Sequence, residues 1–310
     1  MAGLTLGAGM ATAQSETDVV IAGSSLGGSW YALSTGIAEV LNRNSDLLQA
    51  TSSVGASVEN AHFVAQGEYE FAFTLTDIAN YAYNGGREFE EAYPDLRAVL
   101  SGQTLPTHLI VAADSDITSY ADLGGKRVAM GPPGGGTALV ADAILEAAGV
   151  GTDFRPFYLS HSEGSAALRD GTVDGQIYTA GSGSPGIVEL ATTYDVRFVP
   201  VEDSLMEAVL SEHPYWSAGD IAAGTYGQEM DVPTVTARAV VLTRADVEDA
   251  VVSDFLTQFF EHHDDLVAVH SVANQWTLDG AMSGISLPLH PGAIAYYEAQ
   301  GLEPPAALLP

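Results

Sequence analysis

Two glycine-rich segments of this sequence resemble loops that carry catalysis or bind phosphate. Residues 23–27 fit the G-x-S-x-G pattern of a serine nucleophile on a sharp strand-to-helix turn. That turn follows several strands and leads directly into its helix, whereas here one strand precedes the segment and further loop residues follow Gly27. Residues 131–137 lack the G-K-[ST] ending that supplies a lysine to phosphates, so a tight turn is the simpler interpretation. Neither segment predicts an active site.

The histidines and carboxylates do not have the spacing of a metal site. His262 and His263 are adjacent and project in different directions on a helix, and no two histidines lie four residues apart. The carboxylates form no D-x-D-x-D-G loop for calcium. The chain has no cysteine, which excludes disulfides, thiolate ligands and cysteine nucleophiles. We therefore expect no metal, no cofactor and no catalytic residues.

Four junctions rich in Gly, Ser or Thr precede predicted helices, at residues 27–31, 55–60, 134–137 and 179–185. In an open α/β sheet such junctions lie at the carboxyl ends of the strands, where ligands bind. Each offers free backbone N–H groups and the partial positive charge of a helix N-terminus. Two pairs that face each other across a cleft would hold a small anion without lysine or arginine. The alternative, that these glycines only turn the chain, fits one junction better than four.

The elements that position these junctions alternate along the chain. Short apolar runs predict strands at residues 19–22, 71–75, 109–112, 127–130 and 176–179. Helices are predicted at residues 30–42, 139–148 and 165–169, and another follows an N-cap at Ser57. Later in the chain, a strand is predicted at 233–242, followed by a helix that begins at Asp246. Because the strand–loop–helix order occurs twice, we expect two α/β lobes with parallel sheets, and the last third returns to the first lobe.

The composition excludes several classes of function. The chain has 310 residues with 40 acidic and 10 basic side chains, and its net charge of −30 repels nucleic acids. A hydrophobic content of 46% argues against disorder, and no apolar run reaches the roughly 18 residues of a membrane span. Such an acidic, lysine-poor surface is typical of halophilic adaptation, because at 1 M salt the Debye length is only about 3 Å.

The N-terminus is typical of an exported protein. Residues 3–10 are small and apolar, and residues 11–13 fit an A-x-A cleavage site, so residues 1–13 predict the remnant of a signal peptide. A flexible small-residue N-terminus is the alternative. Export predicts a periplasmic or other extracytoplasmic location.

In the order of its motifs, the sequence resembles the TAXI solute receptors, the extracytoplasmic binding subunits of a class of TRAP transporters. The resemblance covers nearly all of residues 19–298. The segments that carry it are a glycine-rich loop ending at Tyr31, G-A-S-V-E-N at 55–60, T-D-I-A at 76–79, G-G-K-R-V-A-M-G at 124–131, G-G-G-T at 134–137, A-G-T-Y at 223–226, D-V-P-T at 231–234 and L-P-L-H-P-G-A at 287–293.

The resemblance implies a type II periplasmic-binding fold, in which two lobes, each a mostly parallel sheet flanked by helices, enclose a cleft. Lobe I would comprise residues 14–112 and 234–310, and lobe II residues 113–233. It also implies a monomer, not an enzyme, that binds a small organic anion such as glutamate, glutamine or 2-oxoglutarate and delivers it to a TRAP membrane subunit. The ligand-binding residues carried over from the family are Gly27, Gly28, Tyr31, Ser57, Asn60, Thr76, Asp77, Gly136, Thr137, Ala180 and Gly181.

The sequence departs from the family pattern in two places. The usual Q-S-D begins here with Leu75, and the usual G-S-G-T has Gly135 in place of serine. The pocket wall loses an amide and a hydroxyl, which leaves a less polar carboxylate as an alternative to glutamate. A sensor receptor for a membrane kinase, and an enzyme on the same fold, are the alternative functions.

Overall fold

The computed structural model describes residues 16–310, so the predicted signal peptide at residues 1–13 lies outside the described residues. The strands of the described part are β1 (Thr17–Ala22), β2 (Leu48–Ser53), β3 (Phe71–Leu75), β4 (Leu96–Ala112), β5 (Arg127–Ala129), β6 (Arg155–Phe157), β7 (Gly175–Thr179), β8 (Val196–Val199), β9 (Ser217–Ile221) and β10 (Val232–Arg244). The helices are α1 (Ser29–Asn44), α2 (Ser57–Gln66), α3 (Thr76–Asn84), α4 (Gly136–Ala147), α5 (His161–Arg169), α6 (Pro185–Thr193), α7 (Asp203–Glu212), α8 (Asp249–Glu261), α9 (His263–Val269) and α10 (Pro291–Ala299).

The first group of strands surrounds β3, which is buried along its whole length. β2, β1 and β3 are parallel neighbours in that order, and β10 continues the sheet antiparallel to β3. A strand covered on both faces must be apolar at successive positions, which explains the continuous run in β3.

The second group of strands is connected to the first through β4. This long strand pairs with β10 as far as Pro106, and from Thr107 onward it pairs with β7 and then β8. β5 lies parallel between β6 and β7, whereas β9 pairs with the start of β10. The two groups agree with the predicted two-lobed α/β architecture, and β4 runs without interruption from one into the other.

The last third of the chain packs on the first group. α8 contacts α1, β2 and α10, and its Phe255 ring stacks on Phe71 with centroids 4.3 Å apart. The predicted apolar face of this helix is buried at residues 251, 252, 255, 256 and 259. Burial of this face anchors the C-terminal segment to the sheet that contains β3.

Several predicted helix starts are wrong: α4 and α5 begin earlier than predicted, at Gly136 and His161, and the two starts with a predicted cap are displaced as well. Ser57 is the first residue of α2, and Ala56 occupies the N-cap. α8 starts after Glu248 rather than at Asp246, because the Asp246 carboxylate accepts hydrogen bonds from Arg244 instead of from the helix. At α8 a local contact, between residues two apart in the sequence, occupies the carboxylate that was predicted to cap the helix.

Candidate ligand-binding site

A small cavity lies where several strand-to-helix junctions meet. Its volume is about 30 Å³, which admits no more than a few water-sized groups. The polar side chains that line it are Ser24, Ser25, Ser29, Ser57, Thr137, His161 and Thr179. The larger apolar ones are Trp30, Leu75, Leu105 and Pro132, with Ala56 and Ala180 between them. None of the lining residues is an arginine, a lysine or a carboxylate.

Three helices begin at this cavity without a capping side chain. The N-caps of α1, α2 and α4 are Gly28, Ala56 and Gly135, and none of them supplies a side-chain acceptor to the first turn. A helix N-terminus presents backbone N–H groups without intrahelical partners and a partial positive charge. Two of these groups are already used, because the Tyr31 N–H donates to Ser24 Oγ at 3.3 Å and the Val58 N–H to the Gly134 carbonyl at 2.9 Å. The remaining first-turn N–H groups of the three helices provide a set of donors suited to an anion.

Gly136 allows the starts of α2 and α4 to touch. A Cβ atom on this residue would lie 2.5 Å from Leu75 Cδ1 and 3.1 Å from Ser57 Oγ. Across the same junction, the Val58 N–H donates to the Gly134 carbonyl at 2.9 Å. Only a residue without a side chain permits this approach, so glycine is a packing requirement at position 136.

Two side-chain donors on the cavity wall are available to a ligand. The Thr137 hydroxyl accepts a hydrogen bond from the Thr179 N–H at 3.2 Å, and its own hydrogen can be donated to a ligand or to His161 Nε2, which lies 3.4 Å away. Trp30 is 5% exposed, and its Nε1 has no hydrogen-bond partner among the described residues. A buried N–H without an acceptor is unfavourable, and an acceptor atom on a ligand would remove that penalty.

His161 lies on the cavity wall at the first position of α5. Its Nδ1 is 3.4 Å from Ser25 Oγ and its Nε2 is 3.4 Å from Thr137 Oγ1. The ring stacks on Tyr178, with centroids 3.7 Å apart. Burial, with a smaller contribution from His108, lowers the pKa of His161 to about 3, so the imidazole is neutral at neutral pH.

The two groups of strands touch directly beside the cavity. The Gly27 carbonyl accepts hydrogen bonds from the Tyr178 hydroxyl at 2.8 Å and from the Gly186 N–H at 3.0 Å. The Ser162 hydroxyl donates to the Leu26 carbonyl at 3.2 Å. With these contacts in place the cavity is narrow.

Comparison with known proteins now decides the family. The NMT1-like family matches residues 21–301, which is most of the chain. The chain belongs to the NMT1-like family. This is a family of periplasmic solute-binding proteins, and the chain is a solute-binding protein rather than an enzyme.

Two solved bacterial structures illustrate the similarity of fold. The periplasmic aliphatic sulphonate binding protein SsuA of Escherichia coli is 18% identical, with a TM-score of 0.51, 92% of this chain and 84% of that chain covered. The alkanesulfonate-binding protein SsuA of Xanthomonas axonopodis pv. citri, bound to MOPS, is 16% identical, with a TM-score of 0.52 and coverage of 95% and 97%. The predicted two-lobed type II periplasmic-binding fold is thereby confirmed.

Five of the predicted site residues line the cavity of this NMT1-like protein. They are Gly28, Ser57, Gly136, Thr137 and Ala180. They come from both groups of strands, at the starts of α1, α2 and α4 and after β7. The structure therefore brings the four glycine-, serine- and threonine-rich junctions together.

Asn60 and Asp77 instead hold the surrounding scaffold. The Asn60 Nδ2 group donates to the carbonyls of Gly23 and Phe73, at 2.8 and 2.7 Å, and so connects the ends of β1 and β3. The buried Asp77 carboxylate accepts a hydrogen bond from Trp216 Nε1 at 3.0 Å. Burial raises the pKa of Asp77. Neither residue lines the cavity.

The remaining predicted residues lie next to the wall rather than on it. Gly27 contributes its carbonyl to the contact between the two sides, and Thr76 is buried at the start of α3. A Cβ on Gly181 would lie 2.5 Å from Gln103 Nε2, so this glycine serves close packing. Tyr31 is outside the lining, and Trp30 supplies the aromatic wall.

The lining contains residues that the sequence reasoning missed, above all His161. It starts α5 four residues before the predicted helix at Ser165. The signal was available, because Ser160 and Glu163 form an S-x-x-E capping box, in which the Ser160 side chain accepts from the Glu163 N–H and the Glu163 carboxylate accepts from the Ser160 N–H.

Two other kinds of feature are absent from the described part of the chain. Residues 16–310 contain no group of three or more His, Cys, Asp or Glu side chains placed to hold a metal ion. Within the same residues, no helix has both the length and the apolar character needed to span a bilayer.

Proposed function

We propose that this protein is the extracytoplasmic receptor of a TRAP transporter and that it binds a small organic anion between its lobes. The observation that carries the proposal is the meeting of three uncapped helix N-termini at one cavity. A wall with no acidic side chain adds no repulsion against the anion. The motif order resembles TAXI receptors, which supports the choice of a TRAP membrane subunit as the partner.

The anion is held by backbone N–H groups and hydroxyls in this proposal. Thr137 and Ser57 donate from opposite sides of the contact between α4 and α2, and the Trp30 N–H supplies a third side-chain donor. The other predicted site residues act by holding these donors in place. Hydrogen bonds to a charged acceptor contribute about 1.5–3 kcal/mol each, which is enough for specific binding without an arginine.

The ligand class follows from the mixture of donors and apolar walls. Leu75, Leu105 and Pro132 give the cavity an apolar wall that can contact the uncharged part of the ligand. Small carboxylates such as glutamate, glutamine or 2-oxoglutarate follow from the resemblance to TAXI receptors. The names of the two SsuA proteins add a small sulfonate as an alternative anion.

Ligand entry requires a hinge between the lobes. We propose the division into residues 14–112 with 234–310 and residues 113–233. The change of partner in β4 at Pro106 and Thr107 favours bending a few residues before the first of these boundaries. β10 accompanies β4 at this point through the Thr236–Pro106 pair, so the two strands would bend together.

Titration calorimetry with L-glutamate, L-glutamine, 2-oxoglutarate and methanesulfonate tests the proposal, with glucose as the uncharged control. We expect at least one anion to bind at a single site and glucose not to bind. Small-angle scattering of the same samples should show a smaller radius of gyration with the bound anion. Absence of heat and of thermal stabilisation with every anion would contradict the proposed ligand class.

The partner is tested separately from the ligand. Liposomes that contain the TRAP membrane subunit should take up the bound anion only when the receptor is added. Stimulation of a membrane kinase without transport would favour the sensor alternative.

The acidic surface supports the proposal that the protein works in a salt-rich environment. A net charge of −30 destabilises the compact state through self-repulsion, and salt screens this repulsion. The melting temperature should therefore rise from dilute buffer to molar NaCl, and a flat curve would contradict halophilic adaptation.

A further inference from the structure

Among the residues that line the cavity in the described part of the chain, His161 alone carries a side chain that titrates. The side chain is 6% exposed, so any change in its charge takes place inside the cavity. Because arginine and lysine are absent from the wall, a cationic His161 would be the one full positive charge next to a bound anion.

The groups packed against His161 are nearly all uncharged. Tyr178 of β7 stacks on the ring, and Gln176 of the same strand donates to the His161 carbonyl at 3.1 Å. His108 of β4 packs edge-on against Tyr178, and burial keeps its pKa low as well. On α5 itself, the Glu163 carboxylate is exposed and accepts hydrogen bonds from the Ser160 N–H and hydroxyl. No described carboxylate forms an ion pair with His161.

The hydroxyl partners of His161 suit either charge state. Both ring nitrogens face a hydroxyl, Nδ1 that of Ser25 and Nε2 that of Thr137. A neutral ring accepts a hydrogen bond at one nitrogen, so the hydrogen of one of the two hydroxyls points at the ring and is not available to a ligand. A protonated ring donates from both nitrogens, so the hydroxyl hydrogens of Ser25 and Thr137 become free to turn into the cavity. Protonation therefore adds a positive charge and increases the number of donors available to an anion.

We propose that His161 is a ligand-binding residue and that it takes up one proton from solvent when an organic anion enters the cavity. The inference rests on the proposed function, because it needs an anionic ligand. The entering negative charge is balanced by the proton, so the buried complex gains no net charge. In the absence of ligand, burial keeps the imidazole neutral, and the anion supplies the counter-charge that makes the imidazolium stable.

Proton uptake makes binding depend on pH in one direction. The pKa of His161 is higher in the complex than in the free protein, so lower pH favours the complex. Below the pKa of the complex the Kd should rise by up to about tenfold for each unit of increase in pH, and above it the Kd should become constant.

Calorimetry with 2-oxoglutarate and L-glutamate at pH 6, 7 and 8 tests this coupling in buffers of different ionisation enthalpy. Both ligands are fully ionised at their side-chain carboxylates in this range, since such groups have pKa values near about 4.3. For the unmodified protein, we expect the observed binding enthalpy to change with the ionisation enthalpy of the buffer. The slope of this dependence gives the number of protons taken up, which should approach one at pH 6. The Kd should be lowest at pH 6.

The variants His161→Asn and His262→Asn provide the comparison. His161→Asn should bind with a Kd that does not change with pH and with no proton uptake, whereas His262→Asn, which changes a histidine outside the cavity, should behave like the unmodified protein. Binding by the unmodified protein without proton uptake would overturn the role of His161 and leave the proposed function intact. Equal proton uptake in His161→Asn would also overturn it. Failure of both anions to bind the unmodified protein would overturn the coupling together with the anion-binding function.

Discussion

The starts of α4 and α5 lie on the same cavity but are built in opposite ways. α4 follows Gly135, which has no side chain to accept an N–H group. α5 follows Ser160, which forms a complete capping box with Glu163. Both helices follow a short strand and a loop in the second group of strands, so neither the topology nor the distance from the cavity explains the difference.

The difference concerns which first-turn N–H groups at the cavity already have a side-chain acceptor from the N-cap residue. Where a capping box is present, the first-turn N–H groups already have acceptors within the chain. Where the N-cap is Ala56, the helix lacks a stabilising interaction of about 1 kcal/mol, and where it is Gly28 or Gly135 the cost is only about a few tenths of a kcal/mol. Apart from the N–H groups of Tyr31 and Val58, which donate to Ser24 and Gly134, the first-turn N–H groups of these helices remain available. Helix starts without a capping side chain also occur away from the cavity, at α7 and α8, so it is their meeting at one cavity, rather than the missing caps alone, that supports the proposed anion site.

The largest effect is expected from Gly136→Ala, which separates two of the uncapped helix starts. The new methyl group would approach Leu75 and Ser57 more closely than van der Waals contact allows. Overpacking of this kind destabilises by about 1–3 kcal/mol. Because the methyl group also occupies the narrow cavity, we expect the Kd for the bound anion to rise by about a hundredfold or more, measured by calorimetry.

Gly124→Ala is the matched control for this substitution. A Cβ on Gly124 would meet its nearest neighbour at 3.8 Å, which is ordinary contact, and the residue lies outside the cavity. Its variant should bind the anion normally. Normal binding by Gly136→Ala would show that the close approach of α2 and α4 has no part in the site.

The next largest effect is expected from removal of the Thr137 hydroxyl. Loss of one hydroxyl donor to a charged acceptor removes about 1.5–3 kcal/mol, so the Kd of Thr137→Ala should rise by about tenfold to a hundredfold. Thr137→Ser keeps the hydroxyl and should recover most of the affinity. Calorimetry on both variants separates loss of the donor from loss of the side-chain volume.

Arg87→Ala tests the opposite account, in which an arginine holds the anion. Arg87 is exposed, and its guanidinium lies 5.3 Å from the centre of the Tyr81 ring, outside the cavity. We expect its removal to leave the Kd unchanged. Loss of binding in Arg87→Ala, together with normal binding in Thr137→Ala, would replace the backbone-donor site with an arginine clamp.

The contrast between helix starts also explains how far the sequence predicts this site. Glycine-rich junctions after apolar runs are local signals, and they led to Gly28, Ser57, Gly136 and Thr137, which the structure brings to one cavity. The capping box before His161 is equally local, but recognising it as part of a cavity requires knowledge of which loops meet in space.

The remaining differences come from long-range pairing. β4 is a strand of 17 residues, of which the apolar pattern predicts only the last four. Gly102 and Pro106 interrupt that pattern, and both residue types disfavour a strand interior unless a neighbouring strand supports it. Asn60 and Asp77 likewise have partners that are distant in the sequence, Phe73 and Trp216, so their scaffold contacts could not be inferred from spacing.

The smallest measurable changes in affinity are expected from exchanging the two kinds of helix start. Ala56→Ser places a hydroxyl at the N-cap of α2, three residues before Glu59, and so completes the S-x-x-E pattern. The backbone of Ala56 is extended, with φ −142° and ψ 147°, as a capping serine requires. We expect a gain in unfolding free energy of about 0.5–2 kcal/mol, measured by urea denaturation without ligand.

The same substitution should weaken anion binding, because the hydroxyl accepts an N–H group that the ligand would otherwise use. Because the N–H group is shared with the new hydroxyl rather than removed, we expect a smaller effect than for a lost donor, a rise in Kd of about threefold to tenfold. Ser160→Ala makes the reverse change at α5, and its main effect should be a loss of about 1 kcal/mol of stability. If Ala56→Ser stabilised the protein and bound the anion as tightly as before, the N–H groups of α2 would have no role in binding. Of the three helices with uncapped starts, only α1 and α4 would then supply backbone N–H groups to the anion.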